Sequence, residues 1–276
     1  MDRLNAIVRP RADLDELRVT RMYELYASYY EAACPTRFRA DLAEKHFVIE
    51  LREGETLRGF STLALMDFGA GMKRRAIFSG DTIVDHRFWG EQALARAFCR
   101  LAGQLRALAP ERPLYWFLIS KGHRTYRYLS VFSHRYYPSR RGPTPPEVRG
   151  WIDELAGRRF GAAYFAELGL VRFPRSQGQL KPQWDGLDQH ARTRPEIRFF
   201  LQRNPHCHEG DELCCLTALE AGNLRSFARQ AFLEGLHDPN TVRLLRRDFG
   251  HLAALPRPAA AGADDPAAAP PGAAAA

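Results

Sequence analysis

The clearest pattern of apolar and polar positions lies between Ile77 and Leu108. Leu94, Ala97, Phe98, Leu101, Leu105 and Leu108 recur at three- and four-residue spacings, which puts them on one helical face, while Glu91, Arg96, Arg100 and Arg106 fall largely elsewhere. The preceding stretch, Ile77 to Val84, is rich in β-branched and aromatic residues and too short for a globular helix, so it reads as a strand. Between the two, Asp85-His86-Arg87-Phe88-Trp89-Gly90 is a loop entering a helix N-terminus. There the first backbone N–H groups lack intrahelical partners and the macrodipole is positive, which makes the loop a candidate anion site.

The pattern continues in both directions. Asp13-Leu14-Asp15-Glu16 has the spacing of a capping box with Asp13 at the N-cap, and the stripe Leu14, Leu17, Met22, Leu25, Tyr26 and Tyr29 predicts a helix to about Tyr30. Its tyrosines read as packing at the core and its rim. A second short helix is expected from Thr36 to Lys45. Phe47 to Leu51 and Leu57 to Met66 read as antiparallel strands joined by the polar turn Arg52 to Thr56, and a further turn at Asp67 to Lys73 delivers the Ile77 strand. Beyond Pro110 and Pro113, Leu114 to Ile119 is apolar without alternation, as expected of a strand buried on both faces near the sheet centre. Ser120-Lys121-Gly122 closes it, and a basic, tyrosine-rich helix is expected from His123 to Tyr137.

Composition narrows what such a chain is for. Its 276 residues, 45% hydrophobic, suffice for one sizeable core or two modest ones. The N-terminus carries no apolar leader region, and the longest apolar run falls far short of the roughly 20 residues of a spanning helix, so the cytoplasm is expected and no membrane partner. Five cysteines, an odd number, do not make a disulfide framework. The net charge of +8 suits nucleic acid, a phosphorylated cofactor or an acidic protein, and equally an arginine-rich composition with no partner. No DNA-recognition motif is present, so nucleic acid is not an expected partner.

The order helix, helix, strand, strand, strand, long helix, central strand, helix, with a phosphate-competent loop before the long helix, resembles the GNAT acyltransferases over roughly the first half of the chain. The anchor is Ile83-Val84-Asp85-His86-Arg87-Phe88-Trp89-Gly90-Glu91-Gln92-Ala93-Leu94, where many members read V-D-P-x-x-R-G-x-G-x-G. Aligned on Val84 and Gly90, the motif's Arg falls on Trp89, its second Gly on Gln92 and its last small residue on Leu94. The resemblance implies an α/β fold, a GNAT-like mixed sheet flanked by helices, and an acyl-CoA donor cradled by Val84, Arg87, Trp89, Gly90 and Gln92. With a single glycine left in the loop, an acyl carrier protein is the other donor implied.

After the central strand the family often carries Asn-x-x-Ala, then a tyrosine that protonates the departing thiolate, then Gly-Phe. Here Ser120 stands for the Asn, His123 for the Ala and Arg127 for the tyrosine; Tyr126 and Tyr128 flank that position, and Phe132 coincides with the Phe. One residue turns a helical side chain by about 100 degrees, so at most one of the two tyrosines serves as acid. A base is also needed, because an amine attacks only when unprotonated. Asp81 is the first candidate, with His86 and Glu50 behind it; a mid-strand Asp equally marks a bulge.

Residues 1–141 form the expected GNAT-like core, and 142–255 an α+β extension that completes the sheet and an acceptor pocket. Within the extension a helix is expected from Pro146 to Arg159, a hairpin from Ala162 to Phe173, and a second hairpin pairing Phe199-Phe200-Leu201 with Leu213 to Leu216. Closing helices are expected at Asn223 to Leu236 and Pro239 to Leu255, and a disordered tail at 256–276, dominated by Ala, Pro and Gly. His206-Cys207-His208 and Cys214-Cys215 lack metal-site spacing, so no metal is expected. The reading is an acyltransferase acting on a small-molecule amine, with a non-catalytic module that binds an acyl thioester or partner protein as the alternative.

Overall fold

The computed structural model describes residues 3–173, 179–185 and 193–240. Eight strands form one mixed sheet: β1 (Asn5–Pro10), β2 (Phe47–Glu53), β3 (Thr56–Phe68), β4 (Arg74–Val84), β5 (Leu114–Ser120), β6 (Tyr164–Phe165), β7 (Leu170–Val171) and β8 (Glu212–Ala218). Their spatial order is β1-β2-β3-β4-β5-β8-β7-β6. Every neighbouring pair is antiparallel except β4 and β5, which run parallel from Arg75/Leu114 to Ser79/Leu118. Parallel neighbours need a crossover, and α3 (Ala93–Leu108) supplies it.

Among the described residues seven helices of nine or more residues flank the sheet: α1 (Glu16–Tyr29), α2 (Pro35–Ala43), α3, α4 (His123–Phe132), α5 (Pro146–Phe160), α6 (Pro195–Arg203) and α7 (Ser226–Leu236). The period of two along each strand divides the core. Ile49, Leu51, Leu63, Leu65 and Ile77 point to the face covered by α3, α4 and α7. On the other face Val48, Phe60 and Ile83 pack under α1 and α2, and Ala64, Phe68, Phe78 and Phe117 under α5. Phe47 to Leu51 are all buried because both faces are covered.

Five expectations are corrected. The α1 N-cap is Asp15, not Asp13; its carboxylate accepts from Arg18 N at 2.8 Å, the third helical position, while Arg11–Asp13 form a 3-10 turn. The chain opens with a strand, β1, which pairs with β2 from Asn5/Arg52 to Pro10/Phe47; its mixed charges hide this edge position. Helix α4 stops at Phe132 instead of Tyr137, because Tyr137 leaves to exchange backbone hydrogen bonds with Leu216 of β8. Phe199-Phe200-Leu201 lies in helix α6, begun by Pro195 and seated through Ile197 and Phe200; three apolar residues carry no period to tell strand from helix. Asn223 precedes rather than joins the last helix, which starts at Ser226. The expectations for 241–255 and for the tail 256–276 lie outside the described residues.

The chain beyond Gly142 supplies β6, β7 and β8 to the same sheet as the first half. Among the described residues no helix is long and apolar enough to cross a membrane.

Candidate functional site

The site begins with a defect in the sheet. Ser61 pairs with Thr82 and Leu63 with Ser79, so Thr62 alone faces Gly80 and Asp81: a bulge in β4. A bulge bends and twists its strand, and the pairing of β4 with β5 ends here, at Ser79/Leu118. Past that point β4 stays with β3 and β5 with β8, and the sheet parts between them. The opening continues into a cleft of about 1670 Å³. Its walls come from both faces of the sheet: Tyr26, Phe38 and Phe160 on one side, Phe98, Tyr128 and Phe132 on the other.

Asp81 lies at the lip of this opening and lines the cleft. No ion pair or hydrogen bond reaches its carboxylate among the described residues. Burial, with Asp41 and Glu212 nearby, pushes its pKa up to about 7, against opposing pulls from Lys45 and Lys121. The other two base candidates are placed elsewhere. Glu50 is buried between Arg9 and Arg52, each at 3.0 Å, with Arg18 at 3.6 Å, outside the cleft. His86 is exposed; its Nδ1 lies 3.2 Å from the Tyr29 hydroxyl and its ring packs 4.5 Å from that of Trp184.

Sequence reasoning did not single out the groups around Asp81. Lys45 is fully buried, bonded to Asp41, and lies so close to Gly80 that a Cβ there would meet its Cε at 2.7 Å. Burial lowers the Lys45 pKa. Lys121, which follows β5, lies 3.5 Å from Glu212 at the start of β8 and 5.7 Å from the Tyr30 ring centroid. Burial raises the pKa of Glu212. These residues come from five separate stretches of chain, and no local spacing links them.

The structure separates the two α4 tyrosines. Tyr126 is buried between Tyr136, Phe199 and Phe200, and its hydroxyl donates to Pro138 O at 2.9 Å; it does not line the cleft. Tyr128 does, at 43% exposure, and desolvation raises its pKa. Ser120 is fully buried and does not line the cleft; its carbonyl accepts from Asn204 Nδ2 at 3.4 Å.

The β4–α3 loop is largely self-satisfied. His86 N donates to the Tyr29 hydroxyl (2.7 Å), Arg87 N to Asp85 Oδ1 (3.1 Å), Phe88 N to Asp85 O (2.8 Å), Trp89 N to His86 O (3.2 Å) and Glu91 N to Phe88 O (3.2 Å). Asp85 itself, held below the usual carboxylate range by Arg87, puts a negative charge inside the loop. Val84 lines the cleft, and its carbonyl accepts from Trp89 Nε1 at 2.9 Å. The Trp89 ring lines it too, under the Arg124 guanidinium at 4.1 Å. Trp184 closes over this group, 5.2 Å from Tyr29 and 6.0 Å from Trp89, with its carbonyl accepting from Arg124. Gly90 has φ +100°, and a Cβ there would meet nothing within 4 Å, so the backbone conformation, not close approach, calls for glycine. Gln92 is the N-cap of α3 and gives it no side-chain cap, so the first turn of α3 beside it carries the loop's remaining unspent amides.

The cysteine-histidine cluster does not assemble. Cys214 packs toward α5 and Cys215 toward α3 and α4, on opposite faces of β8, with His206 and His208 half or more exposed in a surface turn. Among the described residues no group of three or more His, Cys, Asp or Glu is placed to hold a metal.

No family model and no curated protein matches the sequence. In the comparison of folds, 53 chains of solved structures match. A conserved protein of unknown function from Enterococcus faecalis V583, described as a probable N-acyltransferase, overlaps with a TM-score of 0.35 at 12% identity, over 47% of this chain and 33% of its own. The chain thus spans a third of that protein's length. A GNAT family N-acetyltransferase from Escherichia coli (YhbS), in complex with CoA, overlaps with a TM-score of 0.33 at 15% identity, over 47% of this chain and 69% of its own. An acyl-CoA N-acyltransferase from Pseudomonas aeruginosa gives 0.34 and 15%, over 47% and 88%.

Proposed function

We propose that the chain transfers an acyl group from a pantetheine thioester to an amine. The observation that carries this reading is the parting of the parallel strands β4 and β5 after Ser79/Leu118, with an unpaired carboxylate at the lip of a cleft that passes through the sheet. An extended thioester arm entering between α3 and α4 meets an amine entering between α1, α2 and α5 at that gap. Asp81 takes one proton from the acceptor's ammonium; the amine nitrogen bonds to the thioester carbon; the C–S bond breaks, the thiolate takes a proton from the Tyr128 hydroxyl, and the second proton that the nitrogen sheds on becoming an amide returns through solvent to the Tyr128 phenolate. With its pKa raised, Tyr128 holds that proton at neutral pH, as an acid must.

With the amides of residues 85–89 and of Glu91 filled, the donor phosphate falls to Gly90 and the first turn of α3. That arrangement offers donors for one phosphate more readily than for a diphosphate, so acyl carrier protein stands beside acyl-CoA as donor. The same filled loop favours the second reading, a module that binds a thioester or a partner protein without turnover. Release of free thiol from acetyl-CoA, long-chain acyl-CoA and acylated carrier protein, with and without amine, tests the first reading. Amine-dependent release is expected with at least one donor. Donor binding without release would leave the non-catalytic module, and no binding of any thioester would overturn both.

The α4 tyrosines give a separate test. Tyr128→Phe is expected to lower turnover by about 10- to 1,000-fold with donor affinity little changed. Tyr126→Phe removes a buried hydrogen bond to Pro138 O and is expected to register in denaturant unfolding, at about 1 kcal/mol. Loss of turnover in Tyr126→Phe alone would reverse the assignment.

A further inference from the structure

We infer that the acceptor is a singly charged amine on a flat apolar body, with no carboxylate and no second ammonium of its own. This rests on the acyl-transfer reading for its chemistry but on charge accounting within the cleft for its content. On the α1, α2 and α5 side the walls are aromatic: Tyr26 and Tyr30 stack at 4.7 Å, Tyr26 and Phe38 lie 5.4 Å apart, and Phe78 and Phe160 lie 5.9 Å apart. Apart from Glu31, exposed at the rim, the charged groups among them are matched to one another. Asp41 is bound by Lys45 and by Arg159 at 2.9 Å, Glu44 by Arg159, and Glu212 by Lys121 at 3.5 Å. Arg37, at the rim, is engaged as well.

What remains inside, among the described residues, is one carboxylate, Asp81, facing aromatic rings. An ammonium there pairs with Asp81, and the same contact sets up transfer of its proton to the carboxylate. An α-amino acid would bring its own carboxylate within reach of Asp81 with no uncommitted cation on this side to receive it, since Arg124 and Arg127 belong to α4 at the opposite mouth. Like charges juxtaposed without compensation are strongly disfavoured. A polyamine's second ammonium would reach only Glu31 at the exposed rim, where an ion pair contributes little, or be desolvated deeper in against rings and spent carboxylates.

The test uses the full chain without donor. Phenethylamine, phenylalanine and spermidine are titrated by calorimetry into the wild type and into Asp81→Asn, whose fold is checked by circular dichroism. Phenethylamine is expected to bind at least about 100-fold more tightly than phenylalanine and more tightly than spermidine, and to lose at least about tenfold in Asp81→Asn. Equal or tighter binding of phenylalanine or spermidine, or no binding of phenethylamine, would overturn the inference on the wild type alone, even if the variant fails to fold. An undiminished affinity in a folded Asp81→Asn would overturn it too. Thioester binding, measured on the same preparation, keeps the two proposals apart: its loss sinks the transfer reading, whereas a wrong amine preference with thioester binding intact sinks only this one.

Discussion

Asp81→Asn is expected to lower acyl transfer by about 10²- to 10⁴-fold while leaving the protein folded. The side chain keeps its shape and loses only its ability to take a proton. In the wild type the rate should climb with pH through about 7, where Asp81 loses its proton, and the variant should lack that limb. Stability should move the other way. The folded-state pKa lies above the ordinary value of 3.8, so between about pH 4 and 7 the folded chain holds a proton that the unfolded chain has released. The stability this confers is complete below the unfolded pKa and is lost as pH rises through about 7. Asp81→Asn should therefore gain stability relative to wild type at pH 8 but not at pH 4. Urea unfolding at both values measures this; a variant that is inactive yet no more stable at high pH would mean that Asp81 is not the desolvated carboxylate the cleft makes it.

Gly235→Ala is expected to destabilise the chain by ~3 kcal/mol or more, a fall in Tm of roughly 6–12 °C for a protein of this size. Helix propensity alone predicts the opposite sign, a gain approaching about 1 kcal/mol. The contact decides. A Cβ at Gly235 would fall on the Arg100 carbonyl of α3, with its carbon at 2.8 Å, and a Cβ at Gly103 would fall on the Phe232 carbonyl of α7, with Leu236 N at 2.7 Å. Both obstacles are backbone, which cannot swing away as a side chain does. The two helices touch main chain to main chain, so a methyl group forces them apart and opens the core beneath, where Phe98, Leu101, Ala228 and Phe232 are buried together. An unchanged or raised Tm in thermal unfolding would show that α7 is not seated on α3 in this way.

These two residues mark the difference between what was legible and what was not. Asp81 was visible because a carboxylate amid Ile77, Phe78 and Ile83 breaks a strand pattern. Gly103 and Gly235 sit in amphipathic helices whose period reads the same with or without them, and only the approach of a distant helix gives them meaning.

By itself the sequence determined α1 and α3 by their three- and four-residue spacing, α5 by the Pro-rich boundary before it, and β2 to β5 by their apolar runs between turn residues; that β4 and β5 lie side by side and parallel across α3 was decided by the sheet. It also placed a loop before α3 and a carboxylate in β4. Tertiary structure decided what those placements do. The amides of residues 86–89 were spent on Tyr29, on Asp85 and on each other, which no loop sequence reports because Tyr29 lies 57 residues away. Tyr126 went to the core and Tyr128 to the cleft because α4 packs on α6 through the first and not the second. Lys45, Lys121 and Glu212 met around Asp81 only because the sheet brings β8 beside β5 and lays α2 across β4. Local spacing encodes which face a residue takes; the partner across that face is chosen by long-range pairing, which decides whether a buried charge is a spent ion pair or a base.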